Sequence, residues 1–181
     1  MQALGFQKGI KMNLKKISLG VALFFGITFN VIATETTKIA VFDFELNDIT
    51  SLPNTPDEII RTTSFKPLLE SAIKNLDEYE IVQINTKDYA LENAGLGYLY
   101  KFHDIAASLG EKVGAKWVIV GQHSKPSFLF SYIMVNLVNV KTKSLVARYE
   151  IELKGNHRKV TERGIKAITK KIENGIERYK P

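Results

Sequence analysis

The sequence predicts a mixed α/β (α+β) domain over residues 34–181, with a mixed five-stranded sheet and elements in the order βαβαβββα. Three observations lead there. Short apolar runs with strand character alternate with stretches of helical periodicity through the first half of the chain. Two long strand-like segments joined by a polar turn follow, and such a hairpin makes the sheet mixed. The 181 residues are 45% hydrophobic and 24% charged, a globular balance that suits one core.

The elements follow in order. Lys38 to Leu46 opens apolar and then alternates Phe42, Phe44 and Leu46 with Asp43 and Glu45, as a strand leaving the core does. Thr55-Pro56-Asp57-Glu58 reads as a helix start, with Thr55 as cap, Pro56 in the first turn and Glu58 closing a capping box. Phe65, Leu68, Leu69, Ala72, Ile73 and Leu76 form its apolar face, which Pro67 kinks or splits in two. Tyr79 to Ile84 is a second strand, residues 85–97 a loop or irregular helix, and Phe102 to Val113 a helix. Gly110 and Gly114 are best read as that helix ending before the next strand, Lys116 to Gly121. Phe128 to Val138 and Leu145 to Lys154 form the hairpin. Leu145, Ala147, Tyr149, Ile151 and Leu153 are expected on one face, and Arg148, Glu150, Glu152 and Lys154 on the other. Val160 to Tyr179 is the last helix, with Ile165, Ile168, Ile172 and Ile176 as its buried stripe.

The first 33 residues read as an address. Met12-Asn13-Leu14-Lys15-Lys16 is basic, Ile17 to Phe29 is apolar, and Val31-Ile32-Ala33 offers small residues before a polar Thr34. This is the layout of a secretory signal peptide cleaved after Ala33. The alternative is an uncleaved membrane anchor, but the apolar run falls short of the ~20 residues that span a bilayer. With no Cys in the chain there is no lipobox, disulfide or thiol nucleophile. The net charge of +6 includes four lysines of this leader, which holds no acidic residue, so the remainder carries +2 and nucleic acid is not an expected partner.

Candidate chemistry is sparse. Asp43, Glu45 and Asp48 cluster at the end of the first strand, where open α/β sheets place their sites. Asp43 is a candidate metal ligand or general base, and the plainer reading is a carboxylate capping a loop. His103, His123 and His157 lack metal-ligand spacing, so no metal site is assigned. His123 ends a buried strand, and either lines a pocket or is a hydrogen-bonded structural histidine. The dinucleotide, P-loop and nucleophile-elbow motifs are absent, and no cofactor or catalytic residue is expected. Lys159, Arg163, Lys166, Lys170, Lys171 and Arg178 make the last helix basic; it either meets anionic lipid or an acidic partner, or is a solvated face laced with Glu162, Glu173 and Glu177. Phe128, Phe130, Tyr132 and Met134 oppose Leu129, Ile133, Val135 and Leu137, so either helices cover both faces of that strand or one face meets a partner.

Several segments resemble a family of exported bacterial proteins, the domain of unknown function 3280. These are Ile39 to Asp48, Gly114 to Gly121 with Ser124-Lys125, Asn136 to Thr142, Lys154-Gly155-Asn156, and Arg163-Gly164. Family members carry a Cys pair before the Gly-Ala step and a Trp after the Gly-Asn step. Here there is no Cys, and Val160-Thr161 stands near the Trp position, so redox or Trp-based roles are not carried over. Some relatives are encoded beside periplasmic quinoprotein alcohol oxidation systems, which implies an accessory role. The element order is also similar to the amino-terminal domain of the Tol translocation protein and to the curli secretion lipoprotein.

The expectation is a periplasmic accessory or interaction module, non-enzymatic, with another periplasmic or envelope protein as partner and membrane contact only if the leader is retained. The alternative is a small-ligand or metal-binding protein or enzyme using the first-strand carboxylates. Asp43, Glu45, Asp48, His123, Lys125, Asn156 and Arg163 are the candidate ligand or partner site.

Overall fold

The computed structural model describes residues 36–155 and 158–179. The leader, Asn156 and His157 lie outside the described residues. Six strands form one mixed sheet: β1 (Thr37–Val41), β2 (Glu45–Asp48), β3 (Tyr79–Val82), β4 (Trp117–Lys125), β5 (Phe130–Asn139) and β6 (Ser144–Lys154). Their order is β3-β1-β4-β5-β6, with β2 continuing β1 alongside β4. The β1, β2, β3 and β4 pairings are parallel, and the β4–β5–β6 hairpins antiparallel.

Helices cover both faces. Helices α1 (Pro56–Thr63), α2 (Phe65–Lys74) and α6 (Arg158–Arg178) lie on one side, and α3 (Thr86–Glu92), α4 (Tyr98–Lys101) and α5 (His103–Lys112) on the other. The greasy strand β5 is therefore explained by burial on both sides. Ile133, Val135 and Leu137 meet the α6 stripe of Ile165, Ile168, Ile172 and Ile176, while Val138 joins Ala106, Ala107 and Leu109 of α5. That α6 stripe is buried as its three-and-four spacing predicts.

The expected five-strand count becomes six because the first strand is broken. From Val41 to Glu45 the chain advances four residues while its partners on β4, Ile119 to Gln122, advance three. One extra residue in a ladder flips the side-chain phase beyond it. Phe42 therefore faces α3 and α5, whereas Phe44 faces α2, which corrects the expectation that both share a face. Gly121 makes this possible, because a Cβ there would run into the Phe44 ring. A second irregularity lies between Leu137 and Val138, where β6 inserts Val146. It sends Leu145 to the α5 side, away from Ala147, Tyr149, Ile151 and Leu153.

The helix start at Thr55 is correct in place and different in chemistry. Pro56 opens α1, but Thr55 makes no side-chain cap bond, and Glu58 turns inward. The helix breaks at Ser64, which puts Pro67 in the first turn of α2, where its missing N–H has no cost.

Candidate functional site

The phase flip at the β1–β2 break aims Asp48 at the same side as His123 and Lys125 of β4. A buried polar cluster results beneath α1. Lys125 Nζ sits 3.1 Å from Glu58 Oε1 and 4.0 Å from Asp48 Oδ2, and 5.4 Å from the centre of the Phe128 ring. Asp48 Oδ1 accepts from the Thr50 amide and hydroxyl, and Oδ2 accepts from the Asn54 amide. Burial raises its pKa, but these bonds and Lys125 outweigh it and hold the carboxyl below its ordinary value. Arg61 reaches Glu58 at 3.7 Å, donates from Nε to Thr161 Oγ1 at 3.0 Å, and from Nη2 to the Gly155 carbonyl at 3.1 Å. Two buried acids thus offset two buried bases, the condition under which such charges are tolerated.

His123 is fully buried. Its Nδ1 lies 2.7 Å from Thr62 Oγ1 and its Nε2 lies 2.9 Å from Ser131 Oγ. The Thr62 hydroxyl spends its one proton on the Glu58 carbonyl, 2.7 Å away, so it accepts from His123. This fixes the Nδ1–H tautomer, with Ser131 donating to Nε2. Burial first, and then the charges of Arg61 and Lys125, push the His123 pKa down to about 3 against the pull of Asp48. Ser131 is itself buried, so this serine–histidine contact has no open side for a substrate.

The other predicted residues go elsewhere. Asp43 is exposed and pairs with Lys66 at 3.0 Å. Glu45 faces the opposite side of the sheet from Asp48, where it accepts from the Gly97 amide at 2.6 Å and ties down the connection to α4. The expected acidic cluster is therefore three separate carboxylates. Among the described residues no group of three or more His, Asp or Glu side chains is arranged to hold a metal. Arg163 is exposed on α6, and Asn156 lies outside the described residues.

Four large apolar side chains that the sequence did not single out are exposed in the loop after β2 and on α1. Ile49 is 71% exposed, Leu52 64%, Ile60 66% and Ile59 46%. They follow β2 or sit on α1, and the Ile49 amide donates to the Lys125 carbonyl. Ile60, Pro67 and Leu68 with Arg61, Arg158 and Thr161 line a groove of about 630 Å³ between α1, α2 and α6. The signal was in the sequence, in apolar residues placed where a polar loop and a helix's outer face were expected. Glu58, Arg61 and Thr62 were missed because each has an ordinary reading on a helix.

The chain is similar in fold to several solved structures. The LpoB C-terminal domain from Salmonella enterica is 16% identical, with 65% of this chain and 82% of that one covered and a TM-score of 0.45. A PelC dodecamer subunit from Paraburkholderia phytofirmans is 12% identical over 78% of this chain and 87% of that one, at 0.47. TolB from Acinetobacter baumannii, the expected Tol likeness, is 12% identical over 78% and 27%, at 0.42. Likeness at this level is weak and carries nothing about function. No curated protein matches the sequence. The family model DUF3280, described as a protein of unknown function (DUF2380), matches residues 37–172, and the chain belongs to that family.

Proposed function

We propose that this protein is an exported module of the cell envelope that works by docking onto another envelope protein through the loop–α1 surface, without a catalytic centre of its own. One observation carries the reading: exposed Ile60 lines an apolar-walled groove with Pro67 and Leu68, and Ile59 on the same helix and Ile49 and Leu52 in the loop before it are exposed as well. Exposed apolar side chains and an apolar-walled groove suit a protein interface. Export is supported by the leader pattern in the sequence, and the first described strand, β1, begins at Thr37, after the expected cleavage at Ala33. The ligand-binding or enzymatic reading has less support, since Glu45, Asp48 and His123 are each engaged in bonds that hold the fold and Asp43 stands apart in a surface ion pair.

The test compares capture from a periplasmic extract by the wild-type protein and by Leu52→Asp/Ile60→Asp, with folding checked by circular dichroism. A protein retained by the wild type and lost by the folded variant is the expected result. An identical set retained by both, or none by either, overturns the reading.

A further inference from the structure

The connection between β4 and β5 ends in two apolar side chains that no helix covers. Phe128 is 60% exposed and Leu129 79%. Phe130 and Tyr132 continue from them as an edge-to-face pair, 5.7 Å between ring centres. The Gly155 amide donates to the Leu129 carbonyl at 3.0 Å, and Phe130 pairs in register with Lys154. The tip therefore adjoins the end of β6 and the start of α6, and that neighbourhood is rich in cations. Lys154 and Arg158 are strongly exposed, each with one carboxylate nearby, Glu152 at 3.7 Å and Glu162 at 2.7 Å. Lys159 and Arg163 are exposed with no carboxylate within 4 Å among the described residues. The first turn of α6 holds no acidic residue, and Arg158 and Lys159 stand in it at the positive end of the helix dipole, where an anion is favoured and a cation is not.

We infer that this tip docks onto an anionic phospholipid surface, with Phe128 and Leu129 entering the headgroup–acyl boundary and Lys159 and Arg163, helped by Lys154 and Arg158, meeting the headgroups. An exposed apolar pair with exposed cations beside it, two of them without a carboxylate within 4 Å among the described residues, is complementary to a flat, negatively charged, apolar-cored interface. Each such cation contributes roughly a fivefold gain in partition near an anionic leaflet. The contact is peripheral: among the described residues no helix is long and apolar enough to cross a membrane. It shares Arg158 with the groove beside α1, while Phe128, Leu129, Lys159 and Arg163 lie outside that groove's lining.

The experiment uses protein isolated from cells, with its amino terminus fixed by mass spectrometry so that no leader supplies the affinity. Sedimentation with vesicles of phosphatidylglycerol and phosphatidylethanolamine is expected to carry the protein down at low salt, far more than vesicles of phosphatidylcholine. Phe128→Ser/Leu129→Ser and Lys159→Glu/Arg163→Glu are each expected to weaken partition about tenfold or more. Leu52→Asp/Ile60→Asp is expected to leave it unchanged. Because Trp117 is the one tryptophan and is buried, Leu129→Trp gives a site-specific reporter, expected to shift its emission to the blue on anionic vesicles. No sedimentation of the wild type, sedimentation that ignores both double substitutions, or an unshifted reporter overturns the inference. The protein-capture result stands or falls independently.

Discussion

At the scale of single residues the protein is organised around Lys125. It touches the end of β2 through Asp48, α1 through Glu58 and the hairpin tip through Phe128, so one ammonium joins both proposed surfaces. Removing a partner from a buried ion pair leaves the other charge uncompensated, at roughly 3–5 kcal/mol. Lys125→Met is expected to destabilise by about that much in urea unfolding. Lys125→Met combined with Glu58→Leu should recover a large part of the loss, whereas simple additivity of the two would show that the pair is not coupled. His123 makes a second prediction. Its pKa is about 3 in the folded protein against an ordinary 6.5. On acidification the unfolded chain therefore takes up the proton first. The stabilisation is complete above pH 6.5 and is lost progressively as pH falls towards 3, on the order of 5 kcal/mol in total. Asp48, also lowered, adds a loss of the same sign below its ordinary value of 3.8. Urea midpoints from pH 7 to pH 4 should fall less steeply for His123→Gln than for the wild type, and equal slopes would refute the assignment. His123 and Lys125 were legible as strand-end residues. Their partners were not, because Glu58 fits a capping box and Arg61 fits a solvated helix face equally well on paper.

At the scale of elements, alternation located the strands and failed only where a ladder gains a residue. The run from Lys38 to Leu46 alternates without a visible fault, yet the extra residue before Glu45 turns Phe44 and Asp48 towards α1 and α2. Nothing local in that run announces the break. Its cause lies on the neighbouring strand, at Gly121, which gives the Phe44 ring its space. Gly121→Ala should therefore displace that ring and cost about 1–3 kcal/mol, as overpacking does. Calorimetry on Gly121→Ala, Phe44→Ala and the pair together should show strong non-additivity, since the three atoms nearest the added methyl all belong to that ring. Full additivity would mean that Gly121 acts through backbone freedom instead. The second bulge, at Val146, serves a different end. β6 is an edge strand of 11 residues. A bulge and the outward charges Arg148, Glu150, Glu152 and Lys154 are the usual protection of such an edge against pairing with another chain. The charges were plain in the alternation and the bulge was not, for the same reason as before.

At the scale of the whole molecule the two ends of the domain have opposite weights. Ahead of β1, Thr36 contributes one exposed 3.3 Å bond to Glu80, and the first strand itself begins at Thr37. α6, the last described element, covers one face of the sheet together with α1 and α2. Ile165, Ile168, Ile172 and Ile176 are all buried, and each is worth roughly 1.5–3 kcal/mol of burial. Their loss together is of the same size as the whole stability of an ordinary domain, about 5–15 kcal/mol. The last helix also carries Thr161, which receives Arg61, so its removal opens the floor of the groove as well as the core. A chain started at Thr34 keeps every described residue and should melt cooperatively within about 2 °C of the protein isolated from cells. A chain ended after Lys154 should show no cooperative transition and should bind a hydrophobic dye at pH 7. Differential scanning calorimetry separates the cases. A large drop in Tm for the first truncation would mean that residues before Thr34 belong to the folded core, and a cooperative transition in the second would mean that the sheet stands without its α6 layer.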